Sequence, residues 1–362
     1  MKRLFALVFA ICLVLCGCSA DPSETVPPTK EPTVATEPST EATVETTVAT
    51  EPVVLYRNPL NGTLLEAPYE GRVVAVVINN LRDALPHRGV AAADFLYEVE
   101  TEGGITRCLA VYSDVSTAQA VGPVRSARTY FNNLAVSYDA PIVHCGGSVR
   151  GRNAYVDKDG DKVSPWIHLD QMYNGGYFYR DQDRLNSGYS MEHTLFTTGA
   201  QLAKAVSEKD YLADNYDFGL QFLEEVTPKG EAAQKVVVTF QGGKTTTFTY
   251  DAETGLYAAE QYGKTYIDAN TNEQMTFRNV MVLYTDQSFS HDGEYSRSYY
   301  ELEGEGEGYL AINGKMEKIT WARADLNSPF TYTYADGTDV ILGVGKTYVA
   351  IAGDSSTPVS FQ

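Results

Sequence analysis

Two arginines, Arg125 and Arg128, stand three residues apart in the stretch "VGPVRSAR", with Ser126 between them. Further on, "APIVHCGGS" sets His144 and Cys145 ahead of Gly146, Gly147 and Ser148. A guanidinium carries forked donors that match a carboxylate or a phosphate. A helix start adds free N–H groups and the positive end of a dipole, and a Gly-Gly-Ser loop lets backbone come close to a ligand. Arg125, Ser126, Arg128, His144, Gly146, Gly147 and Ser148 therefore form a candidate anion pocket. The competing reading is structural. Either arginine could pair with Glu98, Glu100 or Glu102, which crowd the preceding hairpin.

Other residues offer sharper chemistry with less support. His144 beside Cys145 suggests a thiol nucleophile, but adjacent strand residues point to opposite faces and do not meet. Cys145 is expected in the core. His193, Arg180 and Asp181 lie in a long irregular segment and could converge with His144 as base and anion holder. Ordinary polar bonding in a Tyr-rich loop is the plainer account. "DKDGDK" alternates Asp157, Asp159 and Asp161 as a calcium loop does. Its Gly, however, stands at the fourth position rather than the sixth, and His168 replaces Glu at the twelfth. An exposed acidic turn is expected there. No paired Cys or His spacing supports zinc, so no metal and no cofactor is expected. "GEGEG" at Gly304–Gly308 is no dinucleotide fingerprint, since its glutamates would repel a pyrophosphate; a turn or strand-edge bend is expected.

The elements that must position these residues read as follows. "RVVAVVINN", Arg72 to Asn80, is a continuous apolar run and predicts a buried strand. Two strand patterns flank Gly103-Gly104, a hairpin signal. With those glycines as the two loop residues, Glu102 faces Ile105, Glu100 faces Arg107 and Glu98 faces Leu109. Leu96, Glu98, Glu100, Arg107, Leu109 and Val111 then share one sheet face. After "GPV", Ala127, Tyr130, Phe131, Leu134, Ala135 and Tyr138 recur at helical spacing as an apolar stripe, with Arg125, Arg128, Thr129 and Asn132 opposite. A second helix is predicted from about Thr198 to Ser207. From about Lys235 the chain turns to short alternating strands separated by Asn, Gly and Asp, an all-β texture.

The whole chain bounds these readings. Its 362 residues suffice for two domains. A net charge of -19 argues against nucleic acid as a partner, because a polyanion would be repelled. The 25 tyrosines, against 14 Phe and 2 Trp, suit β-rich structure. "MKRLFALVFAICLVLCGCSA" opens with Lys2 and Arg3, runs apolar to Leu15 and ends in small residues, which is a secretory signal. Its "LCGC" resembles the bacterial lipobox, and the resemblance implies cleavage after Gly17 and diacylglycerol on Cys18, the lipidation site. Acyl chains supply affinity for a bilayer per buried methylene. Residues 19–55, rich in Thr, Pro, Glu, Ala and Val, cannot bury enough surface to offset their ordering entropy. They read as a tether spanning at most about 100 Å. Cys108 and Cys145 are then the remaining thiols, and two buried free cysteines are expected rather than a disulfide. The expected class is α+β. A mixed α/β N-terminal domain at 56–215 is joined through 216–234 to a smaller, mainly antiparallel β domain at 235–353.

At "VVINN", "ADFLYEVETEGGITR", "GPVRSARTYF" and "HCGGS" the chain resembles the YerB-like family of bacterial extracytoplasmic lipoproteins. The resemblance continues through "GYLAINGKMEKITWARADLNSPF" and "LGVGKTYVAI". It implies a two-domain α/β-plus-β architecture and a membrane address, and brings no established activity. One departure falls at "MEHTLF". The family has Pro-His-Asn where this chain has Glu192-His193-Thr194, so a role needing an Asn amide beside this histidine is in doubt. The expected function is a membrane-tethered cell-envelope lipoprotein that binds or scaffolds a protein, peptide or wall fragment at the Arg125–Arg128 pocket. The alternative is an envelope hydrolase or transferase on cell-wall or anionic glycan, with His144 or His193 as general base. No nucleophile–base–orienter set is readable in the chain, which favours binding.

Overall fold

The computed structural model describes residues 55–148, 168–211, 213, 217–292, 294–353 and 359–362. The expectations for the signal, Cys18, the tether to residue 54, and Asp157, Asp159 and Asp161 lie outside these residues.

Val74–Asn79 (β1) is buried along its whole length. A strand apolar on both faces needs cover on both, and β1 has it inside a large mixed sheet. It pairs antiparallel with Thr106–Tyr112 (β3) and parallel with Ile142–His144 (β4), which pairs parallel with His168–Asp170 (β5). Phe95–Glu100 (β2) forms the expected hairpin with β3, but the register differs by one residue. Glu100 faces Thr106, Glu98 faces Cys108, and Val99 faces Arg107. The cause is the turn. Glu102, Gly103 and Gly104 make a three-residue loop, with both glycines at positive φ (81° and 70°) and Thr101 N–H bonded to Ile105 O at 2.7 Å. The odd loop length turns Arg107 to the face opposite Glu98 and Glu100.

The second half contributes two sets of strands. Lys235–Thr239 (β6), Thr245–Asp251 (β7) and Leu256–Gln261 (β8) form an antiparallel sheet. Asn279–Thr285 (β9), Gly304–Ile312 (β11), Lys315–Arg323 (β12) and Thr347–Gly353 (β13) instead extend the first sheet, in the order β12–β11–β9–β13–β2–β3–β1–β4–β5. β13 runs parallel to both β9 and β2 and so joins the halves. Tyr295–Tyr300 (β10) makes a hairpin with Gln287–Asp292. The α+β class holds, with a mixed sheet first and mainly antiparallel strands after it. "GEGEG" is not a bend. It forms the first part of β11, and Gly306 leaves room for the Trp321 indole, whose Nε1–H reaches Tyr284 O at 2.8 Å.

Both faces of the large sheet are covered. Val76, Ile78, Leu96, Cys108 and Ala110 pack under the second sheet through Val236, Phe240 and Phe248. Val77, Phe95, Tyr97 and Leu109 pack under the helix Thr129–Val136 (α1) through Tyr130, Phe131 and Leu134. Each such side chain removed from water contributes roughly 2 kcal/mol. Tyr130, Phe131, Leu134 and Ala135 form the expected apolar stripe of α1, while Ala127 and Tyr138 join the same core from outside the helix. Two details are corrected. The helix begins after Arg128, which is its N-cap in an extended conformation, so Arg125 and Ser126 precede it. Asn132, read as lying opposite the apolar stripe, is fully buried. Gln182–Asn186 (α2) follows Asp181, and Gly199–Glu208 (α3) is the second expected helix, its Thr198 side chain accepting from Gln201 N–H at 3.1 Å.

Candidate functional site

The segment before α1 is extended and stitched on both sides. Arg125 N–H bonds Val77 O at 2.8 Å, and Val124 N–H bonds Leu195 O at 2.7 Å. On the other side Cys145 N–H reaches Arg125 O at 3.1 Å, Ala127 N–H reaches Gly146 O at 3.0 Å, and Ser148 N–H reaches Ala127 O at 3.4 Å. This ladder brings Arg125, Ser126 and Arg128 beside Gly146, Gly147 and Ser148, the grouping expected from their types. Gly146 takes φ 61°, a left-handed turn that suits glycine. Ser148 is buried, so its hydroxyl is not offered at the surface.

The arginines have internal partners. Arg128 clamps Glu102 with two donors, Nε to Oε2 at 3.1 Å and Nη2 to Oε1, while its Nη1 donates to Ala127 O at 2.8 Å. Arg297 from β10 donates to the same Oε1. Arg125 pairs with Glu192, a partner the sequence did not single out. Arg107, buried on β3, donates through Nη1 to Ser126 O at 2.7 Å. Of the three hairpin glutamates only Glu102 meets these arginines. Glu98 accepts from Lys244, Thr106, Thr246, Tyr348 and Asn80, and Glu100 accepts from Gln241 N–H. Structural pairing is thus real for both arginines, yet charge is not balanced. Among the described residues, Arg107, Arg125, Arg128 and Arg297 face two carboxylates, Glu102 and Glu192. The electrostatics follow. Burial and the neighbouring Arg128 lower Arg107 to about 9. Burial would raise Glu102, but the Arg128 clamp overcomes it and holds the carboxyl at about 2.

The two histidines do not join this group as a catalytic pair. His144 is fully buried. Its Nδ1 lies 2.8 Å from Gly146 O, which can only accept, so Nδ1 carries the proton. Its Nε2 lies 3.3 Å from His168 Nδ1, with the rings stacked. Burial lowers it to about 4, against the pull of Asp170. His193 Nδ1 accepts from Asn79 Nδ2 at 3.0 Å, and its Nε2 sits 3.7 Å from Glu192. Both lone pairs a general base would use are already engaged. Cys145 is half-buried rather than core, donating to Gln171 Oε1 at 3.3 Å, and burial raises its thiol away from thiolate. Cys108 and Cys145 are both free.

Arg180 and Asp181 stand outside the arginine group. Arg180 donates to Met191 O at 2.5 Å and Thr194 Oγ1 at 3.4 Å, bracing the turn that carries Glu192 and His193. Asp181 caps α2 through Arg184 N–H at 2.9 Å and pairs with Arg88. Sequence reasoning missed Arg297 and Glu192 because both come from distant segments. It placed Tyr130 only in the apolar stripe. Arg107 was misassigned through the register, and only the loop length could have corrected it.

Comparison with known proteins adds the following. Residues 60–212 match the model described as the N-terminal domain of a protein of unknown function, DUF3048. Residues 236–349 match the C-terminal domain of the same family. YerB, a candidate lipoprotein of Bacillus subtilis (strain 168), is 28% identical over 302 residues, covering 82% of this chain and 86% of that protein. The crystal structure of the Bacillus subtilis YerB protein superposes with a TM-score of 0.69 at 25% identity, covering 84% of this chain and 99% of that one.

Proposed function

The chain belongs to the DUF3048 family, and from that premise we propose that it is a membrane-tethered cell-envelope protein that holds an anionic ligand beside the Arg125–Arg128 segment. The address is supported by the lipobox Cys18, the tether that follows, and homology to a candidate lipoprotein. The ligand class is supported chiefly by the charge excess. In a chain of net charge -19, four arginines gather, among the described residues, around two glutamates at the end of the sheet where β2 turns into β3. Clustered guanidinium groups repel one another, as the lowering of Arg107 by Arg128 and Arg125 reflects, and an incoming carboxylate or phosphate would offset that cost.

Arg125 is the reachable member. Its side chain is 27% exposed against 6% for Arg128, and its Glu192 partner is 39% exposed. A ligand carboxylate can therefore exchange with Glu192 at little cost, since exposed ion pairs are weak. A peptide or wall fragment with an anionic group fits this end of the sheet, with backbone of Gly146 and Gly147 alongside. Titration calorimetry on the full chain with cell-wall peptides tests the reading. Arg125→Ala is expected to weaken binding at least about tenfold. Full retention of affinity in that variant would remove the proposal.

A further inference from the structure

Beside the Ser126–Arg128 segment lie further buried donors that the internal pairs do not use. Arg107 Nε, Arg297 Nε and the Tyr130 hydroxyl are all buried and have no hydrogen-bond partner among the described residues. Arg107 is 4% exposed and Tyr130 is 1% exposed. A buried donor left unmade costs about 1–3 kcal/mol, so three in one place call for an explanation. They do share one place. Arg107 donates to Ser126 O, Arg128 and Arg297 share Glu102 Oε1, and Tyr130, two residues after Arg128, has its ring 5.1 Å from that of Tyr300 on the strand that carries Arg297. Arg107 comes from β3, Tyr130 and Arg128 from the start of α1, and Arg297 from β10. Three guanidinium groups thus surround the single Glu102 carboxylate. Glu102 itself sits at the Gly103-Gly104 tip, 25% exposed, on the open side.

We propose that Arg107, Tyr130, Arg128 and Arg297 form a binding site for a phosphate group, with Glu102 as its resident counter-ion. The donor count and charge select the ligand class. Two positive charges in excess suit a dianion, and donors from three elements suit the several oxygens of a tetrahedral oxyanion better than the two of a carboxylate. Glu102 reaches the same guanidiniums from the chain itself, so it competes with the incoming group. The phosphate could be free or carried as a monoester entering past Glu102. This rests on the anion-binding role proposed above and names the chemistry of its inner part.

The test is titration calorimetry of the full chain with inorganic phosphate and with glycerol 3-phosphate. It compares wild type with Tyr130→Phe, Arg297→Met, Glu102→Gln and Arg125→Ala. Arg297→Met is expected to weaken phosphate binding about tenfold or more and Tyr130→Phe several-fold. Glu102→Gln is expected to tighten it several-fold, because a competing negative charge is gone. That gain cannot arise from a folding defect. Binding of inorganic phosphate alone assigns the site to free phosphate; binding of both assigns it to a phosphate group on a larger molecule. No binding to wild type, or equal affinity in the Arg297, Tyr130 and Glu102 variants, overturns the inner site. If a wall peptide still binds in an Arg125-dependent way, that failure leaves the outer reading standing. If phosphate binding follows Tyr130 and Arg297 while no peptide binds, the outer reading fails and the inner site stands.

Discussion

At the residue scale the chain shows how burial sets protonation. His87 is fully buried, with Nδ1 2.6 Å from the Tyr266 hydroxyl and Nε2 2.7 Å from Asn79 O. Burial lowers it from 6.5 to about 4, partly opposed by the Asn79 carbonyl. The unfolded chain takes up the proton near pH 6.5 while the folded one refuses it until about pH 4. Stability is therefore expected to fall as pH drops through that window, by on the order of 3 kcal/mol, and to be flat in this contribution above it. Urea melts at half-unit steps from pH 7.5 to 4.5 check this. His87→Gln is expected to remove about half of the slope and leave the rest to His144, which burial lowers to the same value. None of this was legible in the sequence. His87 precedes an Arg-Gly pair in an unremarkable loop, and its partner Tyr266 lies 179 residues away.

At the element scale the hairpin β2–β3 decides where charge goes. The types of Glu98, Glu100, Glu102 and Arg107 were readable, and so was the turn. The side each one faces was not, because it hangs on whether the loop has two residues or three. That one residue sends Glu98 to a buried ion pair with Lys244 and leaves Arg107 among the arginines. The tip then rests on the turn between β6 and β7. A Cβ on Gly242 would run into the Gly104 carbonyl, and Gly104 itself has φ 70°. Gly242→Ala is expected to destabilise the protein by about 1–3 kcal/mol, as overpacking does. Because the tip carries Glu102, the same variant should also disturb the Arg128 clamp. Guanidinium melts measure the first effect. A shift of the acid transition, which Glu102 at about 2 now delays, reports the second. The helix stripe of α1 was legible because Phe131, Leu134 and Ala135 keep helical spacing. Its true start was not, since extended pairing at Val124 and Ala127 overrides the helix signal around Arg125.

At the scale of the whole molecule, composition announced two textures and the strands bear them out, but the sheets do not stop at the change of texture. Residues 54–362 form one compact unit. β13 lies between β2 and β9, and the Tyr348 hydroxyl on β13 donates to Glu98 on β2 at 2.8 Å across 250 residues of sequence. Pairing across such separation leaves no local trace, so the join could not be read from spacing. Residues 56–234 expressed alone would expose the β2 edge and leave Glu98 without Lys244, a loss worth several kcal/mol. That fragment is expected to show no cooperative unfolding transition by circular dichroism. A sharp two-state melt would mean that the first half is self-sufficient. The position of β13 has a temporal consequence as well. Among the described residues it follows every other strand of its sheet in chain order, so a nascent chain emerging from the ribosome cannot close its central sheet until β13 itself has been made. Until β13 is in place, β2 and β9 each keep an unpaired edge, and the sheet stays open between them.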